Sequence, residues 1–401
     1  MKILMLTTKY PDGSESTYLT SELADAWQRL GHDVVVVVLK WDAKEPLKQR
    51  VHLFPSGVRA FYFRPNSLSN LGKLIDRLSR WGLSGYQVRG AARRAVGDAA
   101  YDLVFVFSPA VALSGLISEF VKGKSVRSHL YVTDFFPFAH RDIGLIPSGP
   151  IFAISSWLEN YYMRMFDTIS CMSPGNLAFM QKNYRLPVDQ RRRVDYLWGE
   201  GIYRPQLSRG VSRHKFGLPS AAKLALFGGQ LVEGRGVDEV IAAAECARIA
   251  KSDILFVIIG DGRLRPVVEQ AAKENPKHLK WLSPIPRSDY LELAASCDVG
   301  LVVTVAHTNI PTFPSKTIDY LRVGLPVVAA VEESTDYSQF VRDHGFGVTI
   351  NAGVPGALFE AIDQLSSNPT EMSRARDAGR ATLKAVFDVD TVAKNMIMSP
   401  V

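Results

Sequence analysis

Cysteine is scarce in this sequence: its 401 residues include only Cys171, Cys246 and Cys297. The three are odd in number, widely spaced and set in apolar segments, which suits neither a disulfide framework nor a zinc site. We therefore expect three core thiols in a reducing, cytoplasmic compartment.

A long uninterrupted apolar run is also missing. The longest stretch, Leu103 to Ile117, is broken by Ser108-Pro109 and Ser114-Gly115, so it falls short of the roughly 20 residues that a membrane-spanning helix needs. Met1 to Leu6 lead directly into a strand pattern, without the apolar segment and cleavage site of a signal peptide. We expect neither a transmembrane helix nor export.

Basic side chains outnumber acidic ones, with 47 Lys and Arg against 40 Asp and Glu and a net charge of +7. Such an excess indicates anionic partners such as phosphates, nucleic acid or a lipid surface. No recognised nucleic-acid-binding module accompanies the basic residues, so we expect no nucleic acid partner. We interpret the run Arg191-Arg192-Arg193 as a solvated turn between domains.

Apolar periodicity predicts an α/β fold in the first half. Lys2 to Thr8 and Val34 to Leu39 have the continuous apolar character of buried parallel strands, and apolar residues recur at helical spacing from Leu19 to Leu30, ending at Gly31. This order is a βαβ unit whose sheet is covered by helices. Further strands are predicted at 101–107, 128–133 and 168–172. We predict one Rossmann-like domain over residues 1–197.

The pattern restarts after the polar, basic stretch Gln190 to Ser220. We predict strands at 224–227, 254–259, 299–303 and 327–330, and helices at 237–250, 291–296, 314–323 and 355–383. A second Rossmann-like domain would cover residues 198–385, and a terminal helix over 386–401 could join the first domain. Two doubly wound domains facing a cleft would bind ligands just after their strands.

Glycines follow two of these strands. Phe227-Gly228-Gly229-Gln230 closes one strand and Gly234-Arg235-Gly236 opens the next helix, so backbone amides could approach an anion there. Ile259-Gly260-Asp261-Gly262 follows another strand. The spacing matches neither a dinucleotide-binding G-x-G-x-x-G nor a P-loop. For both segments the alternative is a tight turn without a ligand.

A lysine stands at the start of another predicted helix, in Pro314-Ser315-Lys316. The free amides and the dipole of a helix start favour negative charge, so Lys316 is unfavourable there unless an anion compensates it. Asp319 lies on the same helical face and could accept hydrogen bonds from two vicinal hydroxyls such as those of a ribose. This pattern predicts a nucleotide diphosphate site, and the alternative is a surface ion pair between Lys316 and Asp319.

The order of these motifs along the chain resembles that in the large retaining glycosyltransferase family usually numbered four, which has the GT-B fold. Gly31-His32-Asp33-Val34 resembles its entry to the second strand, Gly260-Asp261-Gly262 its G-D-G turn, and Asp319 to Val328 its E-x-x-x-x-G-x-P-V-V element. More narrowly, the sequence resembles a subgroup of this family that makes bacterial surface polysaccharides and includes L-fucosamine-type transferases. The segments that carry this second resemblance are Ser108-Pro109, Asp134-Phe135-Phe136-Pro137, Leu197-Trp198 and Pro314-Ser315-Lys316.

The resemblance implies an N-terminal domain that binds a saccharide or lipid-linked acceptor and a C-terminal domain that binds a nucleotide-diphosphate sugar, with no metal and no further cofactor. It places the donor site on Gly13, Gly229, Gln230, Arg235, Gly260, Asp261, Gly262, Ile285, Ser315, Lys316 and Asp319. Five positions depart from the family pattern. Pro311 and the shorter Asp319 replace a usual pair of glutamates, Gln230 replaces a usual arginine and Arg235 a usual lysine, and Ser108 stands where a histidine is often found.

The resemblance transfers no catalytic base, because Ser108 replaces the usual histidine, so we assign catalytic roles from charge and from position after predicted strands. Arg235 and Lys316 would stabilise the departing nucleotide diphosphate with fixed positive charge. Asp134 and His140 would face the acceptor hydroxyl and assist its deprotonation. The alternative is that Asp134 is a turn or N-cap residue and His140 a surface residue.

The segment Leu68 to Val96 has apolar residues on one helical face and basic residues on another. It could lie on the anionic inner surface of the plasma membrane and reach a lipid-linked acceptor. The alternative is an amphipathic helix packed on the sheet.

Two other functions stay open from the sequence. One is a sugar-nucleotide epimerase of the same fold. The other is a catalytically silent nucleotide-sugar-binding subunit, which Pro311 and Gln230 suggest because the family has charged residues there.

Overall fold

The structure is a computed structural model that describes residues 1–12, 19–41, 49–66, 79–97, 100–142 and 144–398. The chain divides into two compact units. The first comprises Met1–Tyr196 together with Val389–Val401, and the second comprises Leu197–Asp388.

The first unit is built on a sheet of eight strands within the described residues. They are β1 (Lys2–Thr7), β2 (Asp33–Leu39), β3 (Gln49–Leu53), β4 (Arg59–Phe63), β5 (Leu103–Phe107), β6 (Arg127–Val132), β7 (Thr168–Cys171) and β8 (Arg191–Val194). Their spatial order is β3-β4-β2-β1-β5-β6-β7-β8, and the pairs are parallel except for β3 with β4. Central strands such as β5 are buried along their whole length, as expected for a sheet covered on both faces.

Helices connect these strands. They are α1 (Leu19–Arg29), α2 (Ser84–Val96), α3 (Ser114–Phe120), α4 (Phe138–Asp142), α5 (Pro150–Met163) and α6 (Pro174–Asn183). A 3₁₀ turn, Ala110–Leu113, precedes α3. No helix in the described ranges has the length and apolar character needed to cross a membrane.

The second unit has a parallel sheet of six strands among the residues that the structure describes. They are β9 (Lys223–Gly228), β10 (Ile254–Ile259), β11 (Leu279–Leu282), β12 (Val299–Val303), β13 (Val327–Val331) and β14 (Gly347–Asn351). The spatial order is β11-β10-β9-β12-β13-β14, so the direction of winding reverses between β9 and β12. Open α/β sheets bind ligands at the carboxyl ends of such a strand pair.

The helices of this unit cover both faces of the sheet. They are α7 (Arg209–Lys215), α8 (Val237–Ile249), α9 (Arg265–Glu274), α10 (Arg287–Ser296), α11 (Lys316–Arg322), α12 (Tyr337–His344), α13 (Ala357–Ser366) and α14 (Pro369–Val386). One large core packs α8 and α13 against the inner strands, with Phe227 and Phe256 fully buried in it.

The last helix, α15 (Val389–Met398), returns to the first unit. The indole Nε1 of the buried Trp27 donates a 3.0 Å hydrogen bond to the carbonyl of Ala393. Arg29 and Asp390 form an ion pair at 2.8 Å beside it. Helix α15 is therefore part of the packing of α1.

Several local predictions are confirmed, including the strands at 254–259 and 299–303 and the terminal helix. Two are wrong. The run Arg191-Arg192-Arg193 lies in the edge strand β8, which pairs with β7, because an edge strand tolerates polar side chains. The helix predicted over 355–383 is two helices, because Asn368 caps a new start and Pro369 occupies its first turn.

The other differences concern the start of one helix, four strands that the sequence did not predict, and the burial of one thiol. Helix α11 begins at Lys316 rather than at Pro314. Strands β3, β4, β11 and β14 were not predicted. All three cysteines are free; Cys171 and Cys297 are buried as expected, whereas Cys246 is half-buried.

Candidate functional site

The clearest concentration of chemistry lies at the carboxyl ends of β9 and β12. Gly228 ends β9 and Gly229 follows it, Thr304 follows β12, and Lys316 begins the helix that packs nearby. Tyr320 fixes that helix on the sheet, because its hydroxyl lies 3.0 Å from the Leu226 carbonyl of β9 and 3.2 Å from the Leu301 carbonyl of β12. The start of α11 is thereby held at the point where the winding of the sheet reverses.

Lys316 carries an ammonium group without a compensating charge. Its Nζ lies 3.9 Å from the centroid of the Phe227 ring and 3.7 Å from where a Cβ on Gly229 would stand. Across the described residues, no side chain or carbonyl forms a hydrogen bond or ion pair with this Nζ. Burial, together with the guanidinium of Arg235, lowers the pKa of Lys316 to about 7. The face of an aromatic ring supplies only weak compensation for a cation.

Asp319, one turn further along α11, is paired with Arg287 rather than with Lys316. Arg287 Nη1 lies 2.9 Å from Oδ2 and Nη2 lies 2.6 Å from Oδ1. The alternative of a Lys316–Asp319 surface pair is therefore wrong, since the planar fork of Arg287 matches the carboxylate. Arg287 gave no signal in the sequence, where it is a single arginine at the start of α10.

The glycines after β9 and β10 serve the packing of two loops. A Cβ on Gly260 would stand 1.8 Å from the carbonyl oxygen of Gly229, and the φ angle of Gly260 is +152°. The amide of Gly229 donates to the carbonyl of Ile259 at 3.0 Å, and that of Leu231 donates to the carbonyl of Asp261 at 2.9 Å. These two amides are engaged within the protein, so tight backbone packing explains why glycine stands at 229 and 260.

A buried carboxylate orders the loop that leads to Lys316. Glu332 directly follows β13 and is 1% exposed. Its Oε1 accepts a 2.8 Å hydrogen bond from the amide of Thr312, and its Oε2 accepts one from the hydroxyl of Thr304. Glu332 therefore ties the end of β12 to the segment just before α11. The sequence signal was slight: it is the first charged residue after an apolar strand.

The remaining donor-site positions lie around this centre. Gln230 and Arg235 are exposed, and the Asp261 carboxylate accepts a 2.8 Å hydrogen bond from the amide of Gly262. Ser315 is exposed at the N-cap of α11 without a side-chain cap. Ile285 is half-buried between β11 and α10. Gly13 lies outside the described residues.

Ser108 organises the loop that follows β6 in the first unit. Its Oγ accepts hydrogen bonds from the amides of Thr133 at 2.9 Å and Asp134 at 3.3 Å. The serine found in place of a histidine thus has a structural role next to one of the predicted catalytic residues.

His140 and Asp134 are close enough to influence each other. His140 is half-buried, with its ring 4.9 Å from Trp81 and 5.2 Å from Phe136, measured between centroids. Burial lowers the pKa of His140 and the carboxylate of the exposed Asp134 opposes this shift. His140 is thus a half-buried residue that packs against two aromatic rings beside Asp134.

Glu159 is a further buried carboxylate of the first unit that sequence reasoning missed. Its two oxygens each accept a 2.8 Å hydrogen bond, from the amides of Ala110 and Val111. Burial raises the pKa of Glu159 to about 7 although these amides lower it. The carboxylate caps the 3₁₀ turn behind Ser108-Pro109. Within the described part of the chain, no group of three or more His, Cys, Asp or Glu side chains is placed to hold a metal ion.

Comparison with known proteins identifies the class of enzyme. Residues 208–382, which contain the whole site around Lys316, match the family "Glycosyl transferases group 1". The chain is a glycosyltransferase. This glycosyltransferase is 24% identical over 405 residues to the putative colanic acid biosynthesis glycosyl transferase WcaI of Escherichia coli K12, covering 96% of each chain.

A second relative matches about half of the glycosyltransferase. The GDP-mannose-dependent monoacylated alpha-(1-6)-phosphatidylinositol monomannoside mannosyltransferase of Corynebacterium glutamicum is 20% identical over 191 residues, covering 47% of this chain and 49% of the relative.

Among solved structures, the glycosyltransferase resembles sucrose-phosphate synthase of Thermosynechococcus elongatus. The TM-score is 0.75 at 16% identity, over 99% of this chain and 97% of that one. This likeness supports the GT-B fold class predicted from the sequence.

Proposed function

We propose that the second unit binds a nucleotide-diphosphate sugar at the carboxyl ends of β9 and β12, with the diphosphate held by Lys316 and Arg235. The observation that carries the proposal is the ammonium of Lys316, which burial and Arg235 bring to a pKa of about 7 and which has no anionic partner among the described residues. A diphosphate would supply the missing negative charge. Two fixed cations would also stabilise the leaving group during transfer.

Asp319 is the proposed ribose ligand. Its carboxylate is oriented by the two hydrogen bonds from Arg287. Each carboxylate oxygen has two lone pairs, so both oxygens keep acceptor capacity for the vicinal hydroxyls of a ribose. Ile285, in the loop between β11 and α10, would then contact the nucleobase.

The acceptor would be a saccharide, lipid-linked and used in bacterial surface polysaccharide synthesis, at the inner face of the plasma membrane. The names of the relatives support this proposal, since one concerns colanic acid biosynthesis and the other a phosphatidylinositol monomannoside. The motifs shared with family four and its L-fucosamine-type subgroup support transfer with retention of the anomeric configuration. His140 would be a neutral base at pH 7 because its pKa is lowered, with Asp134 beside it.

No cofactor beyond the donor is required in this proposal, because Lys316 and Arg235 provide the positive charge. Activity that survives a chelator would agree with it. Activity that is lost in chelator and restored by a divalent cation would contradict it.

A thermal-shift panel of nucleotide sugars tests donor binding first, because a ligand at about 100 times its dissociation constant stabilises the folded state by about 2.7 kcal/mol. With the donor identified, Lys316→Ala should abolish transfer, while Lys384→Ala, which changes an exposed lysine of α14, should not. Full activity of Lys316→Ala would refute the diphosphate assignment. Isomerisation of the donor without an acceptor would indicate an epimerase, and binding without transfer or hydrolysis would indicate a silent subunit.

A further inference from the structure

Helix α5 of the first unit exposes three large side chains on one face. Ile154, Trp157 and Tyr161 are 59%, 64% and 39% exposed. Their spacing of three and four residues places them in one stripe along the helix. The rings of Trp157 and Tyr161 are stacked with centroids 5.9 Å apart.

Helix α2 continues this apolar surface. The Tyr86 hydroxyl lies 2.7 Å from the hydroxyl of Tyr162, on the last turn of α5. Leu83 and Tyr86, at the start of α2, are themselves 51% and 37% exposed. Helix α2 is held here by close packing on α3, since a Cβ on Gly115 would stand 2.1 Å from the Tyr86 amide nitrogen.

Cations border the exposed rings. Lys122 donates a 2.9 Å hydrogen bond from Nζ to the Tyr161 hydroxyl, and the Arg89 guanidinium lies 5.5 Å from the centroid of the Tyr86 ring. Helix α2 contains no Asp or Glu, and the single carboxylate of α5, Glu159, is buried. These two helices therefore present aromatic and positive groups without exposed negative charge.

We propose that this aromatic-basic surface, formed by Leu83, Tyr86, Arg89, Lys122 and the α5 stripe Ile154, Trp157 and Tyr161, docks the first unit on an anionic lipid bilayer. Tyr and Trp favour the interface between headgroups and acyl chains, and surface cations are attracted to anionic lipids. A second copy of the chain fits less well, because a symmetric contact would bring two positively charged surfaces together.

This surface shares Leu83, Tyr86 and Arg89 with the segment Leu68 to Val96 that the sequence suggested, but it does not use the apolar face predicted there. Trp81, which belongs to the apolar side of that predicted segment, stacks on Phe136 with centroids 4.8 Å apart and is half-buried. Residues 68–78 of the segment lie outside the described residues. The purpose of docking rests on the proposed lipid-linked acceptor, but docking itself is measured without any acceptor.

The test is co-sedimentation with vesicles of phosphatidylcholine alone and of phosphatidylcholine mixed with phosphatidylglycerol, at low and high salt. We expect binding to the mixed vesicles that falls in high salt. The double variant Ile154→Ser, Trp157→Ser should lower the partition coefficient by about tenfold or more, as expected for losing large apolar side chains from the bilayer. Ile249→Ser, at a 69% exposed position of α8, should leave it unchanged.

A second pair of variants tests the charges independently. Arg89→Glu with Lys122→Glu should abolish the preference for anionic vesicles, and Lys384→Glu should not. Lipids brominated in their acyl chains should quench the fluorescence of the wild type and quench Trp157→Phe less. The circular dichroism of each variant must match that of the wild type. If the serine variant unfolds, the two glutamate substitutions and the quenching of Trp157 still test the proposal.

Absence of vesicle binding at low salt, or equal binding of wild type and all variants, would overturn the proposal. So would a dimer that becomes monomeric in the serine variant. Sugar transfer to a water-soluble acceptor, measured without vesicles, tests the proposed function independently of membrane docking. Transfer without vesicle binding removes only the docking surface, and vesicle binding without transfer removes only the proposed function.

Discussion

The guanidinium of Arg287 and the carboxylate of Asp319 form two parallel hydrogen bonds of 2.9 and 2.6 Å between α10 and α11. Bidentate pairs of this kind fix direction as well as position. The carboxylate expected to bind a ribose is therefore held in place before any ligand arrives.

Asp319→Asn should weaken the binding of a nucleoside diphosphate by about tenfold or more, because hydrogen bonds to charged groups are the stronger ones. Isothermal titration calorimetry measures the change. Asp289→Asn is the matched control, since Asp289 lies in the first turn of α10 and pairs with Lys215 at the surface. An equal loss of affinity in both variants would contradict a ribose contact at Asp319.

The affinity for a diphosphate should depend on the protonation of Lys316. The pKa of Lys316 is about 7 in the free protein, and a bound anion raises it, so the complex holds more protons than the free protein. Affinity should therefore fall as the pH rises above about 7. Calorimetry in two buffers with different ionisation enthalpies should show proton uptake on binding.

Lys316→Arg provides the reference for this pH dependence. Arginine stays charged throughout the range, so the ligand's own titration is all that remains in that variant. Identical pH profiles of the wild type and Lys316→Arg would contradict a titrating lysine at the site.

Gly260→Ala should lower the free energy of unfolding by about 3 kcal/mol or more, because the added methyl group would collide with the backbone of Gly229 and the φ angle is positive. Gly210→Ala is the control. Gly210 lies in α7 with no other heavy atom within 4 Å of an added Cβ, so alanine there should stabilise the helix by up to about 1 kcal/mol. Urea unfolding distinguishes the two, and a neutral Gly260→Ala would show that the two loops can separate.

Glu159 should make the stability of the first unit fall as the pH rises. Its folded pKa of about 7 exceeds the ordinary value of 4.5, so the folded state holds more protons and its advantage disappears between these values. Relative to Glu159→Gln, the wild type should lose up to about 3 kcal/mol over that range. Hydrogen exchange of amides in the first unit, measured for both proteins from pH 4 to 8, checks the difference; parallel curves would rule it out.

Sequence patterns predicted the centre of each sheet well and the edges poorly. Strands β5, β10 and β12 are buried along their whole length, so their residues are continuously apolar. The missed strands β11 and β14 are mostly half-buried and carry mixed side chains. Their strand character comes from pairing with a neighbour, which no local pattern records.

The candidate site shows the same division. Lys316 and the glycine turns could be found because they follow apolar strands or begin a helix. Arg287 and Glu332 could not, because their roles depend on partners that lie 32 and 28 residues away, at Asp319 and Thr304. The choice between free amides and tight packing at Gly260 likewise depended on the distance between two loops.

The return of α15 to the first unit has a consequence for synthesis. The partners of Trp27 and Arg29 are Ala393 and Asp390, more than 360 residues further along the chain. On the ribosome, the second unit can complete its sheet before these partners emerge. The Trp27 indole of α1, in contrast, cannot donate its hydrogen bond to Ala393 until α15 has emerged. The unit that begins first is therefore the one that is finished last.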